Sequence, residues 1–269
     1  MRTSTPALVL LCASACSSTA PSSNSATGAP PIQTAPPHPA ASSAPASASA
    51  ASAKAPCLED DESACNERCK ASEVESCVRL GRLYQYGNAN VQADVARGRA
   101  AFARACDAGS AKACFFLGSS LTLPPKDEAN AKSATDQGHA GMPKACDAGD
   151  AESCSLLADM YLTGTTVPKD SAKEEALRAQ ATKLYGEACH RGDGTSCTSF
   201  GSDLLIAKQM KEGAEALQIG CDLGDAMSCA LLGGCYDEGA GVTADKAKAK
   251  GLFEKACKAG SEAACSRLK

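Results

Sequence analysis

Apolar positions recur along this chain in a frame set by pairs of cysteines. Three residues after Cys77, Cys114, Cys154, Cys197 and Cys229 stand Leu80, Leu117, Leu157, Phe200 and Leu232. A small residue follows each of them (Gly81, Gly118, Ala158, Gly201, Gly233), and three further on come Tyr84, Leu121, Tyr161, Leu204 and Tyr236. Apolar, small and apolar residues at i, i+1 and i+4 share one helix face and give it a point of close approach. Counting back four from Cys106, Cys146, Cys189, Cys221 and Cys257 gives Phe102, Met142, Tyr185, Leu217 and Phe253. Counting back eight gives Gly98, Gly138, Ala181, Gly213 and Ala249. This is a second helix that packs one large and one small residue against the first. No segment sustains a two-residue alternation, so the pattern predicts helix pairs and no strands.

The cysteines punctuate the pairs. Cys106–Cys114, Cys146–Cys154, Cys189–Cys197, Cys221–Cys229 and Cys257–Cys265 share one spacing, and each has Gly three residues after its first Cys (Gly109, Gly149, Gly192, Gly224, Gly260). Glycine ends helices because it accepts a left-handed backbone. The following Ser110, Asp150, Asp193, Asp225 or Ser261 is a good N-cap for the next helix. Each copy therefore reads as helix end, tight turn and helix start. Two residues eight apart on one straight helix would be about 12 Å apart, whereas a disulfide needs Cα atoms within roughly 7 Å. The turn brings them into range, and a disulfide closing so short a loop contributes about 2–3 kcal/mol. Structural zinc is the competing use of these thiols, but it favours shorter Cys spacings and often His. Cys69–Cys77 is a looser copy. Cys57 and Cys65 repeat the spacing without a Gly or a clear cap between them, and either staple an N-terminal cap or pair otherwise.

Residues 1–15 read as a secretory signal, with Arg2, an apolar Ala7–Ala13 run and an Ala13-Ser14-Ala15 cleavage site. The run is too short for a permanent membrane span. Cleavage there makes Cys16 the first residue, which resembles a bacterial lipoprotein signal. Ala13 departs from that pattern, where Leu is usual, and Cys12 is a poorer acceptor behind Leu11. An ordinary signal peptide with an incidental Cys16 is the alternative. Residues 16–56 are almost entirely Ala, Ser, Pro and Thr with a single charge, Lys54, and are expected to form a disordered tether. Residues 57–76 are expected to cap a solenoid of about five repeats over 77–269. Outside the leader and tether, 25 basic residues face 31 acidic ones, which argues against a nucleic-acid partner. Once the leader with Cys12 is removed and Cys16 is set aside, pairing fourteen of the fifteen remaining cysteines leaves Cys235 over. It is expected to be a half-buried small residue, or else a free, reactive thiol or an intermolecular disulfide.

The best repeat carries Leu232, Gly233, Tyr236, Gly239, Gly241, Val242, Asp245, Phe253, Ala256 and Cys257. In these residues the chain resembles the SEL-like repeat family, relatives of the tetratricopeptide repeat, and within it the cysteine-rich branch typified by the helicobacter cysteine-rich proteins. The resemblance covers about Cys69–Lys269 and implies antiparallel helix pairs stacked into a right-handed α/α superhelical solenoid. The repeats are unequal. Cys154 to Cys189 carries seven residues more than Cys229 to Cys257, or about two helical turns. Cys197 to Cys221 lacks the Gly-x-Gly-Val loop. The second repeat holds Pro124, Pro125 and Pro143, and a break is expected near Gly141-Met142-Pro143 because a helix-interior Pro costs about 3 kcal/mol. Cys265 stands four residues before Lys269, so the last staple is expected to tie down a single turn.

Candidate chemistry is sparse. His38 falls in the tether, and neither His139 nor His190 sits in a metal-binding pattern. Glu59-Asp60-Asp61-Glu62 lacks the alternation of a calcium loop and reads as an acidic helix start. The cysteine-rich relatives have been linked to penicillin binding and β-lactam hydrolysis, which makes a hydrolase the alternative function. Yet Ser-x-x-Lys occurs only as Ser266–Lys269, without Ser-Asp-Asn or Lys-Thr-Gly. The reading that remains is an exported, lipid-anchored scaffold in the bacterial envelope, periplasmic or on the outer membrane, or secreted if Cys16 is not lipidated. It binds a protein or peptide on its concave face and uses no cofactor or metal; its oligomeric state is left open.

Overall fold

The computed structural model describes Cys57, residues 61–164 and residues 166–269. The expected leader, Cys16, the tether, His38 and Glu59-Asp60 lie outside the described residues. Twelve helices and no strand are formed among the described residues: α1 Glu62–Lys70, α2 Val74–Tyr86, α3 Val95–Asp107, α4 Ala111–Leu121, α5 Glu128–Asp147, α6 Ala151–Thr163, α7 Ser171–His190, α8 Gly194–Ile206, α9 Met210–Asp222, α10 Ala226–Glu238, α11 Lys246–Lys258 and α12 Glu262–Arg267. The five repeats are the pairs from α2–α3 to α10–α11. Each helix packs on the next, and α4 also meets α6, α7 meets α9, and α8 meets α10. First helices thus form one layer and second helices the other, as in an α/α solenoid.

One turn joins each repeat to the next. The Ser110 N–H donates to the Ala105 carbonyl, and the same bond recurs at Asp150–Ala145, Asp193–Ala188, Asp225–Gly220 and Ser261–Ala256. This six-to-one bond is the Schellman closure of a helix end. The glycine inside it has φ between 91° and 103° in all five turns. Ser72 holds that place in the looser copy at φ 68°, an unfavourable region for a side chain. The residue closing one helix also caps the following one, since Ser110, Asp150, Asp225 and Ser261 accept from the N–H three residues on. All seven predicted pairs, Cys57–Cys65 included, stand at disulfide distance, with Cα atoms 4.5–5.2 Å apart. The first pair does have a cap, because Asp61 accepts from the Ala64 N–H.

Within each pair the small residues do what their placement suggests. A Cβ on Gly81 would fall 2.5 Å from the Phe102 ring, one on Gly201 2.7 Å from Leu217, and one on Gly233 2.8 Å from Phe253. The second repeat differs. A Cβ on Gly118 would meet the Ala131 carbonyl at 2.8 Å, and one on Gly138 the Phe115 amide nitrogen at 2.7 Å. Two close approaches seven residues apart let α5 run to 20 residues, as α7 also does, where α3 has 13. Only α7 had been expected to be long.

The expected break at Gly141-Met142-Pro143 does not occur, and α5 continues through Pro143 to Asp147. Proline withholds one N–H from the His139 carbonyl and crowds it, but the helix is clamped on both sides. Gly138 sits against the backbone of α4, Met142 is fully buried with Ala111, Leu157 and Met160, and Cys146 is tied to Cys154. Cys235 is completely buried rather than half-buried, among Leu231, Leu232 and Phe253.

Two neighbouring glycines of α10 separate close approach from helix propensity. Gly233→Ala is expected to destabilise by about 1–3 kcal/mol through overpacking on Phe253. Gly234 has open space around it, so Gly234→Ala is expected to be stabilising by up to about 1 kcal/mol. Urea denaturation of both variants measures the difference, and equal effects would refute the packing assignment.

Candidate functional site

The first helices line a groove of about 300 Å³ bounded by α2, α4, α6, α7 and α8. Its walls carry paired charges from four repeats. Lys112, almost wholly buried, places its Nζ 2.8 Å from Glu75, 3.3 Å from Asp150 and 3.3 Å from Glu152. Arg82 pairs with Glu152 and lies over the Phe116 ring. Arg79 donates both to the Asp193 carboxylate, at 2.9 and 3.0 Å, and to the Cys57 carbonyl at 2.9 Å. Asp193 consequently forms no side-chain cap on α8, unlike the other cap aspartates and serines of the five turns. Sequence reasoning identified Asp193 as a cap and had no signal for a partner 114 residues away.

Burial and charge oppose one another here. Burial would push the Glu75 carboxyl up, but Lys112, Arg79 and Arg82 outweigh it and hold it below its ordinary value. Burial would likewise lower Lys112, but Glu152, Glu75 and Asp150 raise it well above an ordinary lysine. Burial, then Glu152, push the Tyr185 phenol up. At the next junction burial raises Asp225, although Thr198 and Ser228 donate to its carboxylate. At neutral pH the groove is an interior ion network with little unpaired charge, suited to fixing the angle between repeats.

The other candidate residues are dispersed. His139 lies against Phe115 on α5, its basicity lowered by burial. His190 directs Nδ1 to the Gly186 carbonyl at 2.6 Å, beside Phe200. Ser266 donates to the Glu262 carbonyl on the six-residue α12, away from the groove. No cluster of metal-ligating side chains occurs among the described residues. Sequence reasoning missed a row of exposed apolar residues, Tyr86, Leu123, Leu162 and Ile206, at or just beyond the C-terminal ends of four successive first helices. Each stands eight or nine residues past its staple cysteine, a periodicity that could have revealed it.

Fold and groove together define a disulfide-stapled α/α-solenoid repeat protein. The Sel1 repeat family model matches residues 74–110, 151–193 and 226–261, so the chain carries three Sel1 repeats. Those segments are the first, third and fifth repeats; the second and fourth are the ones that depart in loop and proline content. Among solved structures, a Sel1 repeat protein from Oxalobacter formigenes is similar at 23% identity over 74% of this chain and 78% of its own, with a TM-score of 0.43. Cysteine rich protein B of Helicobacter pylori is similar at 24% identity over 63% and 96%, with a TM-score of 0.23. The immunity protein Pa5087 of Pseudomonas aeruginosa shows 14% identity over 75% and 74%, with a TM-score of 0.44. No curated protein matches the sequence. A Sel1 scaffold fits a protein–protein interaction role. Seven disulfides fit an oxidising, extracellular environment, and no described helix is long and apolar enough to cross a membrane.

Lys112→Met leaves three carboxylates facing one another and is expected to cost about 3 kcal/mol at neutral pH. The sign of the acid response follows from Glu75. Its lowered folded pKa contributes stability that is present above its ordinary value of 4.5 and lost as pH falls through the folded value. Thermal melts between about pH 3 and pH 7 are expected to show a shallower acid loss in Lys112→Met than in the native protein. Parallel curves would count against the network.

Proposed function

We propose that the protein is an exported scaffold of the bacterial envelope, anchored through Cys16, that holds a protein or peptide partner in the groove of its solenoid. The observation that carries this reading is the groove itself, a concavity built from four repeats on a frame stapled at every turn. Rigid solenoids present extended surfaces of this kind to other chains. Staples lower the ordering cost of binding, since the surface is preorganised before a partner arrives. Residues 16–56 would hold the domain clear of a membrane while leaving it tethered. The second of two signals needed for firm lipid anchoring would be a further acyl chain, as in dual acylation.

Two measurements test the reading. Replacing groove-lining Ser199 by a photocrosslinking residue is expected to capture one dominant envelope protein in cells, while the same residue at exposed Lys183 on α7 captures none. Equal, diffuse crosslinking from both positions would refute the groove as the binding surface. Separately, Cys16→Ser is expected to move the protein from the membrane fraction to the soluble fraction. Unchanged fractionation would remove the lipid anchor from the proposal.

A further inference from the structure

The solenoid comes round far enough for its ends to touch. The loop after α2 docks on the turn that closes α11: the Ala89 N–H donates to the Gly260 carbonyl at 2.9 Å, and the Asn90 side-chain amide to the Lys258 carbonyl at 3.4 Å. Asn88 shapes that loop from within, its Oδ1 accepting from the Asn90 N–H at 2.9 Å and the Val91 N–H at 2.7 Å. Its amide nitrogen lies so near Gly260 that a Cβ there would approach to 2.9 Å. The contact joins residues 168 apart, and Arg79 crosses from the same repeat to Asp193.

This seam differs in kind from every junction between consecutive repeats. The junctions of the first repeat with the second and of the fourth with the fifth bury leucine and cystine, and all four junctions are tied covalently at the turn. The seam rests on amide hydrogen bonds, with no apolar side chain larger than that of Ala89 among its bonding residues. A typical hydrogen bond exchanged with water has a small net effect, whereas apolar burial scales with area. The seam is therefore the weakest closure in the superhelix. The staples hold each repeat to the next, so parting the seam also requires the Arg79–Asp193 bridge across the groove to part.

We propose that the contact of Asn88–Asn90 with Lys258–Gly260 is a clasp, and that the folded solenoid opens there, without unfolding a repeat, to widen the groove lined by the first helices. The proposal rests on the reading that a partner enters this groove, but the test needs no partner. A failure of crosslinking from position 199 therefore leaves the clasp standing, and a failure of the clasp leaves the groove standing.

Amide hydrogen exchange on the full purified chain reads the clasp directly, because the Ala89 N–H is one of its donors. In the native protein Ala89 is expected to exchange more slowly than an open loop amide and faster than Leu231–Cys235 of α10, the mark of local opening. Asn90→Asp replaces the donor amide by a carboxylate facing the Lys258 carbonyl. It is expected to speed Ala89 exchange at least about tenfold and to raise the radius of gyration in small-angle scattering, with the α10 amides unchanged. Three results would overturn the proposal: Ala89 unprotected in the native protein, Ala89 exchange unmoved by Asn90→Asp, or Ala89 and α10 accelerating together as in global unfolding. As a second variant, Asn88→Gly removes the side chain that shapes the loop and leaves both carbonyl acceptors in place. It is expected to move Ala89 in the same direction, and no change there would count equally against the clasp.

Discussion

The disulfide across each turn is the constraint from which the rest of the architecture follows. It holds two helices with Cα atoms 4.5–4.7 Å apart at the five clean turns, well inside the roughly 7 Å that a disulfide can span. Side chains beside such a contact must be small. The residue before each first cysteine is Ala105, Ala145, Ala188, Gly220 or Ala256, and the residue before each second one is Ala113, Ser153, Ser196, Ser228 or Ala264. At Gly220 the crowding is explicit, since a Cβ would meet the Ser228 Cβ at 2.8 Å and the Cys197 Cβ at 2.9 Å. With the turn fixed covalently, each repeat needs little apolar material to stay folded. That is how a chain with 4% aromatic residues and no tryptophan stays folded around several separate apolar clusters.

Fixing the turns leaves the angle between successive repeats to weaker interactions, and these are polar. Cap carboxylates act twice. Asp150 caps α6 and receives Lys112 from the repeat before, and Asp225 caps α10 and receives Thr198 in the same way. Asp193 gives up its cap entirely to meet Arg79. Buried ion pairs contribute little net stability against an apolar alternative, but they penalise any arrangement that leaves one charge alone. Such a network selects one curvature among several that apolar packing alone would tolerate. The apolar core holds the repeats together, and the groove charges set how far the superhelix bends.

What could be read in the sequence follows this division. Staples, caps and paired large and small residues depend on neighbours within about thirty positions, and their spacing recurs, so Gly81 with Phe102 and Gly233 with Phe253 were legible. Pro143 was misread because its local cost is real while the clamps that offset it come from α4 and α6, outside its own helix. The length of α5 was missed because the spacing from Cys114 to Cys146 exceeds that from Cys77 to Cys106 by only three residues, while a shorter α4 and a shorter loop supply the rest. Nothing periodic marks Lys112 or Arg79 as a charge for the groove, and Asp193 is marked only as a cap. Their partners are set by the curvature of the whole superhelix, a quantity that no single repeat encodes.

The unequal repeats bear on how such a scaffold acquires a particular partner. The second and fourth repeats, where the family pattern fades, supply Lys112 and Asp193 to the groove, while the regular first and third supply Arg79, Arg82 and Glu152. A stack of identical repeats would present identical side chains at each step and could bind only a periodic ligand. Here the groove-lining position two residues before the second cysteine is Glu75, Lys112, Glu152 and then Thr195, so the lining passes from charged to polar. That gradient gives the groove a direction. The partner proposed for this groove would meet fixed charge at one end and uncharged hydroxyls at the other, and an apolar end laid against Lys112 and Glu152 would be opposed by their desolvation. The polarity of the groove thus follows from the same substitutions that blur the repeat.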